Sequence, residues 1–278
     1  MKKFRILLFA LLITTVAFAQ KKEKIKGSKN VTVAQKQLEP FETLEIEDNI
    51  ELYLVKGTTQ SLEIEADDNL HEIIKSDING IALRIYTSKD VSSSKKLTVR
   101  LTYTGSLKTI TAKNEVLLYA VNELELDTVS VKNFDYSKSF LNVKSANFSL
   151  AMNDKTKAEI NVKSGKTTVE LSKNANLKAL IASPEVKIDM YQKTVAIVEG
   201  DAVAASIRVD NNAEFTGEKF AVKNLDLTAE SYTKCAVLAT ETLTLSASGK
   251  TEVSLYGAPT SFNVKKLTNS AIIFKKED

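Results

Sequence analysis

Apolar and polar residues alternate along most of the chain, and part of this alternation recurs at a fixed interval. Three serines, Ser145, Ser164 and Ser183, are equally spaced along the sequence. Their spacing of about 19 residues, filled by short strands, is typical of a β-solenoid, in which each coil of chain lies on the previous one. After each serine the same positions are apolar or β-branched: Phe148/Leu150/Met152, Thr167/Val169/Leu171 and Val186/Ile188/Met190.

The coil pattern extends over residues 105–278. The step from Ile188 to Ile207 has the same length as the serine spacing, and the steps from Ile207 to Leu225 and from Leu225 to Leu243 are each shorter by one position. These steps predict about nine parallel coils of 18–19 residues and, at roughly 4.8 Å per strand, a rod about 40 Å long. The predicted inward positions include Ile110, Leu117/Tyr119, Leu124/Leu126, Val129/Val131, Leu141/Val143, Ile160/Val162, Ile181, Leu227, Leu245 and Val253/Leu255.

Residues 38–104 alternate in the same way but without the repeat, which predicts a strand-rich N-terminal unit. Within it, the segment from Asp67 to Lys75 predicts a short helix of about two turns, because an acidic start and a basic end suit the helix dipole. A tight turn at Asn79-Gly80 leads into Ile81/Leu83/Ile85. Residues 20–37 form a polar, lysine-rich leader with a first strand near Val31. We expect this N-terminal unit to cover one end of the stack and the lysine-bearing tail after Phe274 to blunt the other.

Residues 1–19 predict a cleavable signal peptide. Lys2, Lys3 and Arg5 precede an apolar run from Ile6 to Phe18, and small residues at Ala17 and Ala19 fit a cleavage site. The apolar run is too short for a helix across the roughly 30 Å hydrocarbon core. We therefore expect export across the inner membrane to the periplasm, the outer membrane or the cell surface, with a retained anchor as the alternative and no membrane span in the mature chain.

Charge argues against two classes of partner. The chain has a formal net charge of +3, and three basic residues would leave with the signal, so the mature chain carries +3 − 3 = 0. Lysines and carboxylates are interleaved along the strands. Nucleic acids and anionic membranes are therefore poor candidate partners.

No residue is predicted to be catalytic, to bind a cofactor or to ligate a metal. Cys235 is the only cysteine, which excludes an intramolecular disulfide, and it is interpreted as a small buried residue. His71 is the only histidine and is interpreted as an exposed residue of the short helix. A β-helical enzyme that cleaves acidic polysaccharides remains an alternative, but only Arg84, Arg100 and Arg208 follow the signal.

The tightest acidic clusters are Glu63/Glu65/Asp67/Asp68 and Glu123/Glu125/Asp127, and Glu63/Glu65, which share a face of a strand, are the candidates for a cation site. Their carboxylates alternate with apolar residues, which predicts the solvent side of a strand, and calcium requires six to eight converging oxygens. Tyr191 and Tyr256 are predicted to point outward, where they belong to the strand surface or stack on a sugar ring. The stacked Ser145, Ser164 and Ser183, like Asn142 and Asn161, are interpreted as structural ladders along the corners.

Several segments resemble one protein family, the putative auto-transporter adhesin, head GIN domain family. The resemblance is carried by residues 25–31 (IKGSKNV), 38–46 (LEPFETLEI), 49–54 (NIELYL), 66–70 (ADDNL) and 248–259. It implies a right-handed parallel β-helix, an exported or envelope location in Bacteroidetes-type bacteria, and no catalytic residues. The sequence departs from the family pattern at residues 48–51 (DNIE), where Gly-Ile-Asn is usual, and at Ala146 and Pro184, where glycine is usual.

From these observations we expect an all-β, non-enzymatic β-solenoid that binds a glycan or an envelope protein. The alternatives are the polysaccharide-cleaving enzyme and a purely structural envelope protein. The oligomeric state does not follow from the sequence.

Overall fold

Parallel β-strands stack along most of the molecule. The structure is a computed structural model that describes residues 22–268 and 270–276, so the predicted signal peptide lies outside the described residues. The strands form a β-solenoid of about 9 turns, which confirms the predicted fold class. The strands are β1 (Lys24–Lys26), β2 (Val31–Gln37), β3 (Thr43–Ile46), β4 (Glu51–Lys56), β5 (Ser61–Asp67), β6 (Ile74–Asn79), β7 (Ala82–Thr87), β8 (Asp90–Ser93), β9 (Leu97–Tyr103), β10 (Thr109–Ala112), β11 (Leu117–Ala120), β12 (Leu124–Glu125), β13 (Thr128–Asn133), β14 (Lys138–Met152), β15 (Lys157–Leu171), β16 (Asn176–Ala182), β17 (Glu185–Met190), β18 (Val195–Val209), β19 (Glu214–Glu230), β20 (Lys234–Ser248), β21 (Glu252–Tyr256), β22 (Ser261–Leu267) and β23 (Ile272–Lys275).

Each coil contributes one strand segment to each of two faces. Face A contains β7, β3, β10, β13, β17, β22 and the second halves of β14, β15, β18, β19 and β20. Face B contains β9, β4, β11, β16, β21, β23 and the first halves of the same long strands. A corner such as 145–146 joins the two halves of a long strand. The inward side chains of both faces form one hydrophobic core.

The predicted period is confirmed in the central coils. Lys138 lies opposite Lys157 and Met152 opposite Leu171, so both halves of β14 and β15 are offset by the same number of positions. The shorter step predicted from Ile207 to Leu225 is wrong, because Ile207 lies opposite Leu227. The register shifts between Ile197 and Glu199 on β18, so β19 holds one more residue between its faces.

The two faces are joined on one side by a stack of tight turns. Each turn has two consecutive residues in the left-handed backbone region, for example Asp154 (φ 60°) and Lys155 (φ 56°). Backbone hydrogen bonds link each turn to the next, as from the Lys155 N–H to the Lys173 carbonyl at 3.0 Å. These bonds offset the cost of positive φ in residues other than glycine. The other pairs are Asp48/Asn49, Asn114/Glu115, Asp135/Tyr136, Lys173/Asn174, Gln192/Lys193, Asn211/Asn212 and Ser231/Tyr232.

The predicted N-terminal unit adds two parallel rungs to the stack. β3 and β4 pair in parallel with β10 and β11 on one side and with β7 and β9 on the other. Beyond them, β6 pairs with β7, β5 with β9, and β2 with β5, all antiparallel. These reversed strands cover the N-terminal end, as expected. Within the predicted polar leader, β1 also forms a parallel pair with β8.

The predicted two-turn helix is wrong. The segment contains one 3₁₀ turn, Asp68–Leu70, and the chain is already a strand at Ile74. Ile73 and Ile74 are both buried, and β-branched residues favour an extended backbone that can pair with β7. A helix this short also has too few hydrogen bonds to repay its nucleation.

Most predicted inward residues are buried, with three exceptions in two segments. Leu117 and Tyr119 were expected inside, but Val116 and Leu118 are the buried residues of that segment, and a shift of one residue reverses every side chain of a strand. Ile81 lies at the β6–β7 turn and is 57% exposed rather than buried. Among the described residues, no helix is long and apolar enough to cross a membrane.

The C-terminal rung differs from the N-terminal end. β22 and β23 pair in parallel with β20 and β21, but their apolar residues are largely exposed. Phe262 and Val264 lie opposite the buried Leu243 and Leu245 and are 45% and 48% exposed. Ile272 and Phe274 belong to β23 itself and are exposed as well.

Candidate binding surface

Three aromatic side chains form a ladder on the outside of face B. Tyr53, Tyr119 and Phe140 lie in register on β4, β11 and β14. The ring centroids of Tyr53 and Tyr119 are 5.1 Å apart, and those of Tyr119 and Phe140 are 5.0 Å apart, with nearly parallel planes. Because Tyr119 points outward from β11, its ring lies between the rings of Tyr53 and Phe140.

The rings of this ladder cover one another. Tyr119 is stacked on both faces, and the Arg100 guanidinium lies 5.8 Å from the Tyr53 ring centre on the neighbouring strand β9. The Tyr53 hydroxyl donates to Glu51 at 2.8 Å, a bond that raises the Tyr53 pKa together with burial. Burial and the Glu51 charge raise the Tyr119 pKa. Both faces of Tyr119 are therefore covered, whereas Phe140, at the end of the ladder, is stacked on one face only.

A shallow cavity of ≈ 600 Å³ lies beside the ladder. Its apolar part includes Tyr119, Phe140, Leu180 and Ile197; Leu180 is 47% exposed and Ile197 40%. Its polar part consists of Asn142, Asn161, Glu159, Lys178 and Glu199, and Lys178 lies 3.8 Å from Glu159. Five successive rungs contribute to this cavity, which we call the face B groove.

A second cavity of ≈ 690 Å³ lies at the turn edge near the N-terminal end. It is lined by Asp48, Asp90, Glu115 and Asp135 together with Lys22. Lys22 forms an ion pair with Asp48, which also accepts the Thr87 N–H at 3.0 Å. In the described part of the chain, no group of three or more His, Cys, Asp or Glu side chains is arranged to hold a metal ion.

The first predicted acidic cluster does not converge on one point. Glu63 accepts from Gln35 at 2.6 Å and lies 3.4 Å from Arg100, whereas Glu65 lies 3.7 Å from Lys96. Asp68 accepts hydrogen bonds from Ser28 and Asn30. Each of these carboxylates is therefore engaged by its own separate neighbours.

Asp67 corrects the prediction that the whole cluster faces solvent, because its side chain is completely buried. It accepts backbone N–H groups from Lys29 at 3.0 Å, Lys95 at 3.1 Å and Lys96 at 3.0 Å. Burial alone would raise the Asp67 pKa, but these donors outweigh it and hold the pKa below its ordinary value. Asp67 therefore joins its own segment to two others of the N-terminal end, one at Lys29 and one at residues 95–96. We call this arrangement the Asp67 clamp.

The second acidic cluster is exposed, as predicted. Glu125 lies 2.7 Å from Lys56 and 3.7 Å from Lys144, and the hydrogen bond from Lys56 is the main cause of its lowered pKa. Glu123 and Asp127 are exposed on the same segment.

Cys235 is buried, as interpreted from the sequence, and burial raises its pKa to about 12. A thiol with that pKa is protonated at neutral pH and is a poor nucleophile. His71 is half-buried rather than exposed, and its Nε2 lies 2.9 Å from the Thr32 hydroxyl. The histidine thus connects the 3₁₀ turn to β2.

The predicted tyrosines and ladders have structural surroundings. Tyr191 and Tyr256 are half-buried, and the Arg208 guanidinium lies 5.7 Å from the Tyr191 ring centre. Ser164 and Ser183 are hydrogen-bonded at 3.3 Å along the corner, whereas the buried Ser145 hydroxyl has no partner. Asn142 and Asn161 lie in register at the edge of the face B groove.

Several solved structures share this fold. A putative adhesin from Parabacteroides merdae matches with a TM-score of 0.64 and 15% identity, covering 92% of this chain and 99% of that one. A putative adhesin from Parabacteroides distasonis matches with a TM-score of 0.67 and 14% identity, covering 91% and 100%. A structure described as a putative lipid binding protein from Parabacteroides distasonis has a TM-score of 0.61 and 15% identity, covering 91% and 100%.

No protein with a curated function matches the chain. The sequence model of one family matches residues 40–259, which span most of the β-solenoid. The chain therefore belongs to the family described as putative auto-transporter adhesin, head GIN domain.

Proposed function

We propose that the protein is a non-enzymatic, adhesin-like binding protein of the cell envelope or cell surface and that the face B groove binds its partner. The observation that carries this proposal is the exposed apolar surface of Leu180 and Ile197 beside the aromatic ladder. Apolar patches rimmed by polar residues are common at protein interaction sites. The family to which the chain belongs supports the adhesin-like role.

Of the two expected partners, we propose an envelope protein rather than a glycan. Sugar binding by aromatic residues uses the face of a ring, and stacking within the ladder covers both faces of Tyr119 and one face of Phe140. Leu180 and Ile197 offer aliphatic groups without a flat face, which suit apolar side chains of a protein. The name of one structural neighbour makes a lipid a further possible ligand, which the binding experiment can distinguish.

Export across the inner membrane remains part of this proposal. It is supported by the signal pattern in residues 1–19 and by the adhesin description of the family. Protease treatment of intact cells, with an antibody against the folded protein, tests the location. Digestion on intact cells supports a surface role, and full protection contradicts it.

The binding proposal is tested with purified full-length protein and envelope fractions. We expect the double variant Leu180→Asp/Ile197→Asp to lose capture of envelope proteins, because two charges would enter the apolar groove. Ile81→Asp is the matched control, since Ile81 is also an exposed isoleucine but lies in the N-terminal hairpin. Equal capture by both variants, or capture of only glycan or lipid by the wild type, would contradict the proposal.

An enzymatic role has a separate test. Incubation of the protein with acidic polysaccharides and calcium would release unsaturated sugars if the β-helical enzyme alternative were correct. We expect no release, because the acidic residues that were candidates for such a site lie in separate ion pairs and hydrogen bonds.

A further inference from the structure

The last rung at the C-terminal end of the solenoid consists of β22 and β23. β22 pairs with β20, and β23 pairs with β21. Among the described residues, neither strand has a neighbour on its outer edge. We call residues 261–267 and 272–275 the open end. An outer strand edge presents N–H and C=O groups that can pair with another strand.

The row of core residues on β20 is continued on β22 by apolar residues that are exposed to solvent. Phe262, Val264 and Leu267 lie opposite Leu243, Leu245 and Ala247, all of which are fully buried. Their own exposed fractions are 45%, 48% and 48%. A strand added to β22 would extend the same inward row and remove this apolar surface from water.

The two strands of the open end contain basic but no acidic side chains. β22 and β23 contain three lysines, Lys265, Lys266 and Lys275, and no carboxylate, a net charge of 3 − 0 = +3. The preceding residues 214–248 contain three lysines and five carboxylates, a net charge of 3 − 5 = −2. Lys265 lies 3.1 Å from Asp226, so one of these lysines is paired with a carboxylate on β19, two rungs away.

We propose that the open end binds an extended, acidic segment of another protein by adding it as a strand to the solenoid. The backbone edge would supply hydrogen bonds, the exposed core row would accept apolar side chains, and the lysines would pair with acidic side chains. A second copy of this chain is a poorer occupant, because end-to-end contact would bring two lysine-rich edges together. This site is separate from the face B groove.

A synthetic peptide that alternates valine with glutamate over seven residues tests the proposal. Its binding to the full chain is measured by fluorescence anisotropy at low salt. We expect Val264→Asp to raise the dissociation constant at least about tenfold, because the new carboxylate repels the peptide and interrupts the apolar row. Val203→Asp is the matched control: Val203 is 50% exposed at a coil corner, and this variant should change binding by less than about twofold.

Two further peptides separate the contributions of charge and backbone. A valine–lysine peptide should bind at least about tenfold more weakly than the glutamate peptide, and added salt should reduce this difference. A glutamate peptide methylated at alternate backbone nitrogens should lose binding, because it cannot complete the ladder.

Three outcomes would overturn the proposal. One is no measurable binding of the acidic peptide, and another is equal weakening by Val264→Asp and Val203→Asp. The third is a dimer seen by light scattering that Val264→Asp converts to monomer, because a second copy would then occupy the end. Leu180→Asp/Ile197→Asp should leave peptide binding unchanged, so failure of this proposal is distinguishable from failure at the face B groove.

Discussion

The two ends of the solenoid differ in how well the outermost parallel rung is covered. At the N-terminal end, the last parallel rung is followed by antiparallel strands β6 and β5, and Leu83 and Leu101 are fully buried. At the C-terminal end, the last parallel rung is exposed, and Leu267 is 48% exposed. Antiparallel strands thus cover the buried rung at the N-terminal end. Among the described residues, no antiparallel strand covers the exposed rung at the C-terminal end.

The difference shows what covering an end requires. The N-terminal end combines apolar cover with hydrogen-bond acceptors for the segments that cross it, and the Asp67 clamp supplies three of these bonds. A capping unit without such acceptors would bury backbone N–H groups at a cost. A stack of rungs by itself provides neither feature, so among the described residues the last rung keeps its outer edge and its apolar residues exposed.

The sharpest test of this comparison replaces one leucine at each end. Leu83→Ala should lower the free energy of unfolding by about 2 to 5 kcal/mol, because it leaves a cavity in a closed core. Leu267→Ala should lower it by less than about 1 kcal/mol, because Leu267 is half in water. Urea denaturation followed by circular dichroism measures both. Similar losses at the two ends would contradict the distinction.

We expect the Asp67 clamp to make the next largest contribution to the free energy of unfolding. Asp67→Ala should lower the free energy of unfolding by about 1 to 3 kcal/mol, because the N–H groups of Lys29, Lys95 and Lys96 would lose their acceptor. The control is Asp226→Ala near the open end, whose exposed ion pair with Lys265 should contribute less than about 1 kcal/mol. If the two alanine variants were equally stable, the clamp would have no special role.

The same carboxylate makes the N-terminal end sensitive to acid. The folded-state pKa of Asp67 lies below its ordinary value of 3.8. Its contribution is therefore present above that value and is lost as the pH falls through the folded pKa. We expect the stability difference between wild type and Asp67→Asn to narrow as the pH is lowered from 7 toward 3. A constant difference would show that the carboxylate charge is not what stabilises this end.

The smallest effect needs no mutation. Amide hydrogens of β22 and β23 should exchange with solvent faster than those of β7 and β9, because a rung with one neighbour opens locally at a lower free energy. Hydrogen exchange with mass spectrometry measures this difference. Binding of the valine–glutamate peptide should slow exchange in β22, while exchange in β7 stays unchanged.

The alternation of side chains predicted the coils well, since it reports a physical period of two within strands and a constant step between them. Ile188 and Leu225 are buried as expected. Tyr119 was placed on the wrong side because residues 116–120 are all apolar, alanine or aromatic, so hydrophobicity could not determine the phase. The buried neighbours Val116 and Leu118 reveal it only in three dimensions.

The candidate binding surface was less predictable than the fold. The aromatic ladder and the face B groove arise from residues as distant in sequence as Tyr53 and Ile197, which only the register of the rungs brings to one face. The Asp67 clamp was missed because its donors are backbone N–H groups, which carry no signal in the sequence. None of the turns with paired positive φ was predicted, and at Gln192/Lys193 neither residue type favours that conformation.

Because its turns are linked in register, the solenoid can gain or lose whole coils. Over residues 138–190, turns, corners and strands share one offset from coil to coil, so deletion of residues 157–175 would remove a whole coil and leave Lys138 next to Asn176 in an equivalent setting. The distance between the groove and the C-terminal edge can therefore change in increments of roughly 4.8 Å without a new type of contact. Evolution can in this way alter how far such a protein reaches while its cap and its two candidate binding surfaces stay the same.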